Sequence, residues 1–149
     1  MYALNLNIAF DARRAGGKAA RLAQAIALGM RVSPGFVILQ ESLKLFLVGA
    51  DLYWRVHHYL QDCNPQKPDR IRQQFIELCT SAEAAPIPVL IKKEIEPLTV
   101  DWLANAPAGL AVRSSGANED LPTASFAGIY DSFLGVSTLP GLWENVVRC

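Results

Sequence analysis

Apolar residues in the first part of the chain recur at helical spacing after a pair of glycines. Beyond Lys18 they stand three or four positions apart, at Ala19, Leu22, Ala23, Ile26, Ala27 and Met30. This spacing places them on one face of a helix. Gly29 is suited to end that helix, because glycine readily adopts the left-handed backbone of a C-terminal cap. The pattern therefore predicts a helix whose amino end is formed by Gly16, Gly17 and Lys18.

Two other segments have the pattern of β-strands. Val32 to Leu39 is a Pro-Gly turn that leads into a run of β-type apolar residues, which predicts a buried strand. Near the other end, Leu110 and Val112 would face one side of a strand and Arg113 the other, because side chains alternate along a strand. The stretch from Ala111 to Val136 is therefore predicted to be a strand, a polar loop and a second strand.

Helical spacing and chain breakers divide the rest of the sequence. Further helices are predicted within residues 43–60, 71–79, 89–105 and 140–149. Residues 2–10 are expected to form a strand or an extended lead-in, and 11–17 and 81–88 to be loops. The helix over 89–105 is expected to be interrupted at Pro97. Its charges are predicted to form a solvated face that contains Lys92, Lys93, Glu94 and Glu96.

Composition limits the class of protein. A chain of 149 residues with 51% hydrophobic and 19% charged residues is predicted to be one folded domain. Fourteen basic and fourteen acidic side chains give zero net charge, so nothing indicates a general nucleic-acid binder. The cysteines Cys63, Cys79 and Cys149 form no CxxC pair and are expected to be reduced. With no secretory signal and no apolar run of about 20 residues, we expect no membrane span and a cytoplasmic location.

The glycines and lysine before the first long helix are suited to bind an anion. Backbone N–H groups at a helix amino end and the positive end of its dipole favour anions, and Lys18 adds a mobile charge. This is not a Walker A motif, because Ala12 stands where its first glycine should be and Ala19 where its Ser or Thr should be. On its own, the motif is more simply explained as loop glycines beside a solvated lysine.

A second candidate site follows the Arg113 strand. A strand holds the arginine on a rigid element, and the loop beyond it contains Ser125, Phe126, Ala127 and Gly128. Apart from Phe126 these residues are small, and small residues allow a backbone to approach a ligand closely. An arginine beside such a loop is suited to a polyphosphate.

Both segments resemble one family. The sequence AVRSSGANEDLPTASFAGIYDSFLGV resembles the nucleotide-binding domain of the phosphoenolpyruvate synthase and pyruvate phosphate dikinase family, whose pattern is close to AVRSSA-x-x-ED-x-x-x-x-SFAG. The sequence GGKAARLAQAIALGMRVSPGFVI, from Gly16 to Ile38, is similar to the opening GGK-x-x-x-L segment of that family and its PPGF-like turn. Two separated motifs in the family order are much harder to obtain by chance than one.

The resemblance implies an α/β (α+β) fold, the first subdomain of an ATP-grasp-like nucleotide-binding domain, with a small sheet packed with helices. Residues 1–149 would be part of that domain, without its second subdomain, the phosphohistidine domain and the phosphoenolpyruvate- or pyruvate-binding domain. The implied function is to supply ATP to a phosphotransferase, in which ATP phosphorylates a histidine that passes the phosphate to pyruvate or another acceptor. The alternative is a truncated, non-catalytic nucleotide-binding or interaction module of the same family. The fragment alone is not expected to be active.

The resemblance also implies roles for individual residues. Lys18, after Gly16 and Gly17, matches the family lysine that contacts ATP phosphates. Arg113 matches the arginine that stabilises the transferring phosphates, and is the predicted catalytic residue. The loop that covers the polyphosphate corresponds to Ser125, Phe126, Ala127 and Gly128. ATP is the implied cofactor, with Mg²⁺ in the complete enzyme held by ligands outside this chain.

Several residues have a second interpretation or depart from the family pattern. Arg113 could form a structural ion pair with Glu119 or Asp120, and these carboxylates are not assigned as metal ligands. Two positions differ from the family, since Arg21 replaces a frequent Asn and Ile129 a frequent Gln. His57 and His58 are expected to be structural or surface residues, since the family's phosphorylated histidine lies in another domain. An apolar face left by the missing half is expected to favour a partner chain or self-association.

Overall fold

The computed structural model describes residues 1–116 and 131–149, and the backbone of 120–121 and 124–125. The helices of this part are α1 (Ala12–Ala15), α2 (Gly17–Ala27), α3 (Gln40–Gly49), α4 (Tyr53–Gln61), α5 (Pro68–Ala84), α6 (Val89–Asn105) and α7 (Leu139–Arg148). The strands are β1 (Ala3–Asn5), β2 (Phe36–Ile38), β3 (Leu110–Arg113), β4 (Asp120–Leu121), β5 (Ala124–Ser125) and β6 (Ser132–Val136). They form three antiparallel pairs, β1 with β2, β3 with β6, and β4 with β5. The predicted mixed fold class is confirmed.

Strands β1 and β2 are short and lie over a small apolar core. Their central pair is Leu4 opposite Val37. The predicted strand over 32–39 is thus confirmed in its second half, and the extended lead-in holds a three-residue strand followed by a 3-10 helix, Leu6–Ile8. The first core cluster consists of Leu6, Ala9, Ala15, Ala19, Val37 and Leu39. It packs β2 against the amino-terminal half of α2.

Helix α2 confirms the helix predicted beyond Lys18. It ends in a Schellman motif, in which Met30 N–H donates to Ala25 O at 3.0 Å and Gly29 N–H to Ile26 O at 2.9 Å. Gly29 has a φ of 78°, as a left-handed cap requires. The buried stripe is narrower than predicted, because Met30 stays 63% exposed. The loop expected over residues 11–17 also contains a helical turn, α1.

The helix expected over 43–60 is two helices, α3 and α4. Asp51 has a φ of 56°, and Leu52 N–H donates to Leu47 O at 2.8 Å, so α3 also ends in a Schellman motif. Leu52 is only 1% exposed. The turn therefore buries the Leu52 side chain. The spacing of apolar residues in the sequence does not reveal this burial, so it predicted one continuous helix.

The charged face predicted for α6 is partly wrong. Glu94 accepts hydrogen bonds from Tyr2 N–H at 2.6 Å and Ala3 N–H at 2.8 Å, and Glu96 accepts one from the Trp143 indole at 3.0 Å. Both carboxylates therefore tie α6 to other elements. The helix also continues through Pro97, although the sequence predicted an interruption there. Helix α5 likewise extends to Ala84, into the region predicted to be a loop.

A second core cluster joins β1, α3, α6 and α7. It consists of Ala3, Phe46, Ile91, Ile95 and Trp143. The Glu94 hydrogen bonds lie beside it, and the N–H groups of Ala3 and Tyr2 hold the pKa of Glu94 below its usual range against the opposing effect of partial burial. Since the carboxylate is favoured, this contact secures the amino-terminal strand on α6 at neutral pH.

Candidate functional site

The amino end of α2 lies against the residues that follow β3. The contacts join two segments that are 96 residues apart in the chain. Among the described contacts, three hydrogen bonds connect them, from Gly17 N–H to Gly116 O at 2.9 Å, from Lys18 Nζ to Ser114 O at 2.9 Å, and from Ala19 N–H to Ser115 Oγ at 3.0 Å. The two motifs singled out in the sequence therefore meet in one place, the junction between residues 16–19 and residues 114–116.

Gly16 makes the closest approach between these segments. A Cβ atom on this residue would lie 1.7 Å from the carbonyl oxygen of Ser115. Gly16 also has φ 85° and ψ 159°, a backbone conformation that is essentially limited to glycine. Both the space and the backbone thus require glycine at position 16.

The first-turn amides of α2 are not open to an anion in the way that the sequence suggested. Gly17 N–H and Ala19 N–H already donate to the segment after β3, so the expectation that amide groups of this helix end are available to an anion is wrong for these two. The acceptors are the Gly116 carbonyl and the Ser115 hydroxyl, which satisfy the helix end as a capping side chain would. A ligand at this junction would therefore meet side chains before it met these amides.

The two charged side chains at the junction, Lys18 and Arg113, differ in burial and in hydrogen-bond partner. Lys18 is half-buried, and its ammonium is directed to the main chain one residue beyond Arg113. Arg113 is exposed at the end of β3, where Leu110 and Val112 face inward, as the alternation predicted. Its Nε donates to Ser132 Oγ on β6 at 3.4 Å, which is long for a hydrogen bond.

The strand pairing also explains why Arg113 has a fixed position. Residues Arg113 and Ser132 are opposite one another in the β3 and β6 ladder. The register shifts by a bulge between Leu110 and Val112. Just before β3, Gly109 approaches Gly135 so closely that a Cβ on residue 109 would lie 2.5 Å from the backbone carbon of residue 135. The arginine therefore lies on a short strand pair that is fixed by the Gly109–Gly135 contact at one end and by the Arg113–Ser132 pairing at the other.

The two adjacent serines of the junction have different roles, which the sequence motif does not reveal. Ser114 offers its carbonyl to Lys18, while its hydroxyl oxygen is buried and has no hydrogen-bond partner within the described part of the chain. Ser115 offers its hydroxyl to α2. One signal was available, because a helix that begins Gly-Gly-Lys has no Ser, Thr, Asp or Asn of its own to cap it.

The remaining predicted site residues are less completely described. Ser125 lies in β5, where its backbone is paired with Asp120 of β4. Phe126, Ala127 and Gly128 lie outside the described residues, and so does Glu119. The predicted alternative, an ion pair of Arg113 with Glu119 or Asp120, therefore concerns side chains outside the described part.

Other groups that could take part in chemistry lie away from the junction. His57 and His58 are both exposed on α4. A surface cavity of about 270 Å³ lies between the loop after α4 and the first turns of α5, lined by Asp62, Asn64, Lys67, Arg70, Ile71 and Gln74. Among the described residues, no group of three or more His, Cys, Asp or Glu side chains could hold a metal ion. In the same part of the chain, no helix is both long enough and apolar enough to cross a bilayer.

Known proteins are similar to this chain over nearly its whole length. The chain is 33% identical over 143 residues to a probable phosphoenolpyruvate synthase of Methanothermobacter thermautotrophicus, a match that covers 93% of this chain and 21% of that protein. It is 32% identical to the phosphoenolpyruvate synthase of Neisseria meningitidis, over 90% of this chain and 18% of that protein. It is 30% identical to a rifampicin phosphotransferase of a Streptomyces species, over 90% of this chain and 15% of that protein. The chain thus spans about a fifth or less of the length of these relatives.

A family match covers both halves of the junction. Residues 12–149 match the family described as pyruvate phosphate dikinase, AMP/ATP-binding domain. This range contains the Gly16 to Lys18 segment, Arg113 and the strands that follow. The predicted resemblance is confirmed, and the chain belongs to the AMP/ATP-binding domain family of pyruvate phosphate dikinase.

Proposed function

We propose that this chain is the ATP-binding portion of a phosphoenolpyruvate synthase-like phosphotransferase. In the complete protein, ATP phosphorylates a histidine, which passes the phosphate to pyruvate or another acceptor. The observation that supports this most directly is the hydrogen bond from Lys18 Nζ to Ser114 O, because it brings the lysine motif next to the arginine motif. The family match and the names of the similar proteins support the same assignment.

In this proposal Lys18 and Arg113 bind the polyphosphate through different chemistry. The Lys18 ammonium is a point charge, whereas the Arg113 guanidinium is a planar fork that can bind two oxygens at once. Phosphoryl transfer depends mainly on positioning and on charge placed against the equatorial oxygens. Arg113 is exposed and stands on a strand, so it is available to the transferring phosphates and is the proposed catalytic residue.

The glycines of the motif have a packing role beside the ligand. Gly16 permits the junction to close, and Gly17 donates to Gly116 O. Since the amides of Gly17 and Ala19 are already paired, the phosphates are bound chiefly by the two cationic side chains and by the loop that contains Ser125, Phe126, Ala127 and Gly128. Mg²⁺ is proposed as a cofactor of the complete enzyme, held by ligands outside this chain.

The remaining steps are assigned to parts beyond these 149 residues. The chain corresponds to between 12% and 21% of the length of its phosphoenolpyruvate synthase relatives. We propose that residues 1–149 are part of the nucleotide-binding domain, and that a second ATP-grasp subdomain, a phosphohistidine domain and an acceptor domain complete the enzyme. A cytoplasmic location is part of this proposal.

A second candidate is a non-catalytic module that binds a nucleotide or a partner chain. It is favoured by large apolar side chains at the surface, among them Leu28 at 81%, Leu134 at 77% and Leu60 at 67% exposure. Where such residues form one contiguous patch, they would support association with missing domains or with a second copy. A concentration-dependent oligomer without nucleotide binding would favour this candidate.

The test of the main proposal is isothermal titration of the 149-residue chain with ATP and Mg²⁺, with Arg113→Ala as the comparison. Binding that is lost in Arg113→Ala supports an ATP site built on the junction. A folded wild-type chain that binds no ATP contradicts the proposed site in this chain. Equal affinity of the two proteins contradicts the role of Arg113.

A further inference from the structure

We propose that Ser115 is a positioning residue that holds Lys18 and Arg113 in one nucleotide site. This inference rests on the proposed function. It concerns the hydroxyl of Ser115, which accepts the Ala19 N–H at 3.0 Å and need not touch the ligand. Its role is to fix the amino end of α2 against the end of β3.

Helix α2 depends on this hydroxyl because it lacks a cap of its own. Its N-cap residue is Gly16, which has no side chain to accept a first-turn N–H. Ala19 is the third residue of the helix and only 4% exposed, so its N–H has little access to water. A buried N–H without an acceptor costs about 1–3 kcal/mol. Ser115 therefore supplies from another element what a local Ser or Asp usually provides.

The position of Ser115 determines the relative placement of the charged residues. Ser115 is two residues beyond Arg113, and Ala19 is one residue beyond Lys18. A hydrogen bond between Ser115 and Ala19 therefore fixes the position of α2 along the segment after β3. A shift by one residue would separate Lys18 Nζ from Ser114 O.

Ser115 also supplies the acceptor at the junction that a substitution can remove. The other two acceptors, Ser114 O and Gly116 O, belong to the main chain and remain in any variant. Of the three described hydrogen bonds across the junction, the one to the Ser115 hydroxyl depends on the side chain of the acceptor residue. The alignment of the two cations is thus sensitive to this one oxygen.

The experiment compares the wild-type chain with Ser115→Ala and Ser115→Thr. We expect Ser115→Ala to increase hydrogen exchange of the Ala19 amide by roughly tenfold, because its acceptor is lost. We expect ATP affinity to fall by about three- to tenfold, the range that corresponds to one net hydrogen bond. Ser115→Thr keeps a hydroxyl at the same atom position and is expected to restore both values towards wild type. All titrations are made well below the unfolding temperature.

Two further variants separate this role from a general effect of losing a serine. Ser114→Ala removes the adjacent hydroxyl, which has no partner among the residues described, and is the control for the exchange of the Ala19 amide. Ser137→Ala removes an exposed hydroxyl and is the control for ATP affinity. Neither value is expected to change in its control.

The outcomes distinguish this inference from the proposed function. If the wild-type chain binds ATP and Ser115→Ala binds it equally well, Ser115 is only a structural cap and the inference is wrong while the proposed function stands. Unchanged exchange of the Ala19 amide in Ser115→Ala also contradicts the inference. A folded wild-type chain that binds no ATP contradicts both.

Discussion

The carbonyl oxygen of Ser115 occupies the space that a side chain on Gly16 would need. The distance from an ideal Cβ on residue 16 to this oxygen is 1.7 Å, and Gly16 has a positive φ of 85°. The residue is thus constrained twice, by the backbone conformation and by contact with a rigid main-chain atom. This relationship explains why the motif before α2 contains glycine at this position.

We therefore predict that Gly16→Ala lowers the free energy of unfolding by more than about 2 kcal/mol, the combined effect of backbone strain and the clash. Urea unfolding monitored by circular dichroism measures this change. The matched control is Gly29→Ala, since Gly29 has a φ of 78° but no described atom within 4 Å of where a Cβ would lie. That control is expected to cost about 1 kcal/mol, the effect of the backbone alone. Equal losses in the two variants would contradict a special contact at Gly16.

A second prediction separates the two cations. Lys18→Ala and Arg113→Ala are each expected to weaken the binding free energy of ATP by about 1.5–3 kcal/mol, as for charge-assisted hydrogen bonds. Lys18→Ala is expected to lower the unfolding temperature as well, because it removes the bond to Ser114 O. Arg113 is exposed, so its removal is expected to leave that temperature nearly unchanged.

Titration calorimetry and thermal unfolding of the same samples test this difference. Lys93→Ala is a suitable control, because Lys93 is exposed on α6, outside the junction. Unchanged ATP affinity in both Lys18→Ala and Arg113→Ala, with folding intact, would remove these residues from the proposed site.

A third prediction concerns acid stability. In the folded chain, the N–H groups of Ala3 and Tyr2 lower the pKa of Glu94 below its ordinary value of 4.5. A lowered folded pKa means that the carboxylate stabilises the fold above pH 4.5, and that this contribution is lost as the pH falls through the folded pKa. Glu94→Gln is therefore expected to lower stability at pH 7 by about 1 kcal/mol, with a smaller difference from wild type in acid.

Urea unfolding at several pH values between neutral and acid measures this effect. Glu83→Gln is the control, because Glu83 is an exposed glutamate on α5. A constant difference between Glu94→Gln and wild type across this range would show that ionisation of Glu94 does not contribute.

A fourth prediction tests the contact between α6 and α7. Trp143 is 8% exposed, and its indole N–H donates to Glu96 at 3.0 Å. Trp143→Phe keeps most of the apolar contact but leaves Glu96 without this donor, so we expect a loss of about 1–2 kcal/mol in the free energy of unfolding. Trp143→Ala also opens a cavity, and a loss of about 3–5 kcal/mol is expected. Equal effects of the two substitutions would contradict the contribution of packing in this cluster.

Local patterns in the sequence determined much of the fold. Apolar spacing predicted α2 and its Gly29 cap, and alternation predicted the exposed Arg113 beside the inward-facing Leu110 and Val112. The motifs also predicted the family, which the match over residues 12–149 confirms. These features depend on neighbouring residues or on short patterns, so a single sequence is sufficient to identify them.

Only the tertiary structure decided how distant groups are paired. Glu94 and Glu96 have the spacing of a solvated helix face, but each accepts a hydrogen bond from another part of the chain. The N–H of Ala19 likewise donates to the hydroxyl of Ser115, 96 residues away in the chain. Hydrogen bonds of this kind depend on which surfaces pack together, because a buried polar group must be satisfied by whatever lies beside it. The sequence by itself determined helix α2, the strand that bears Arg113 and the family, whereas packing determined that the amino end of α2 is capped by Ser115.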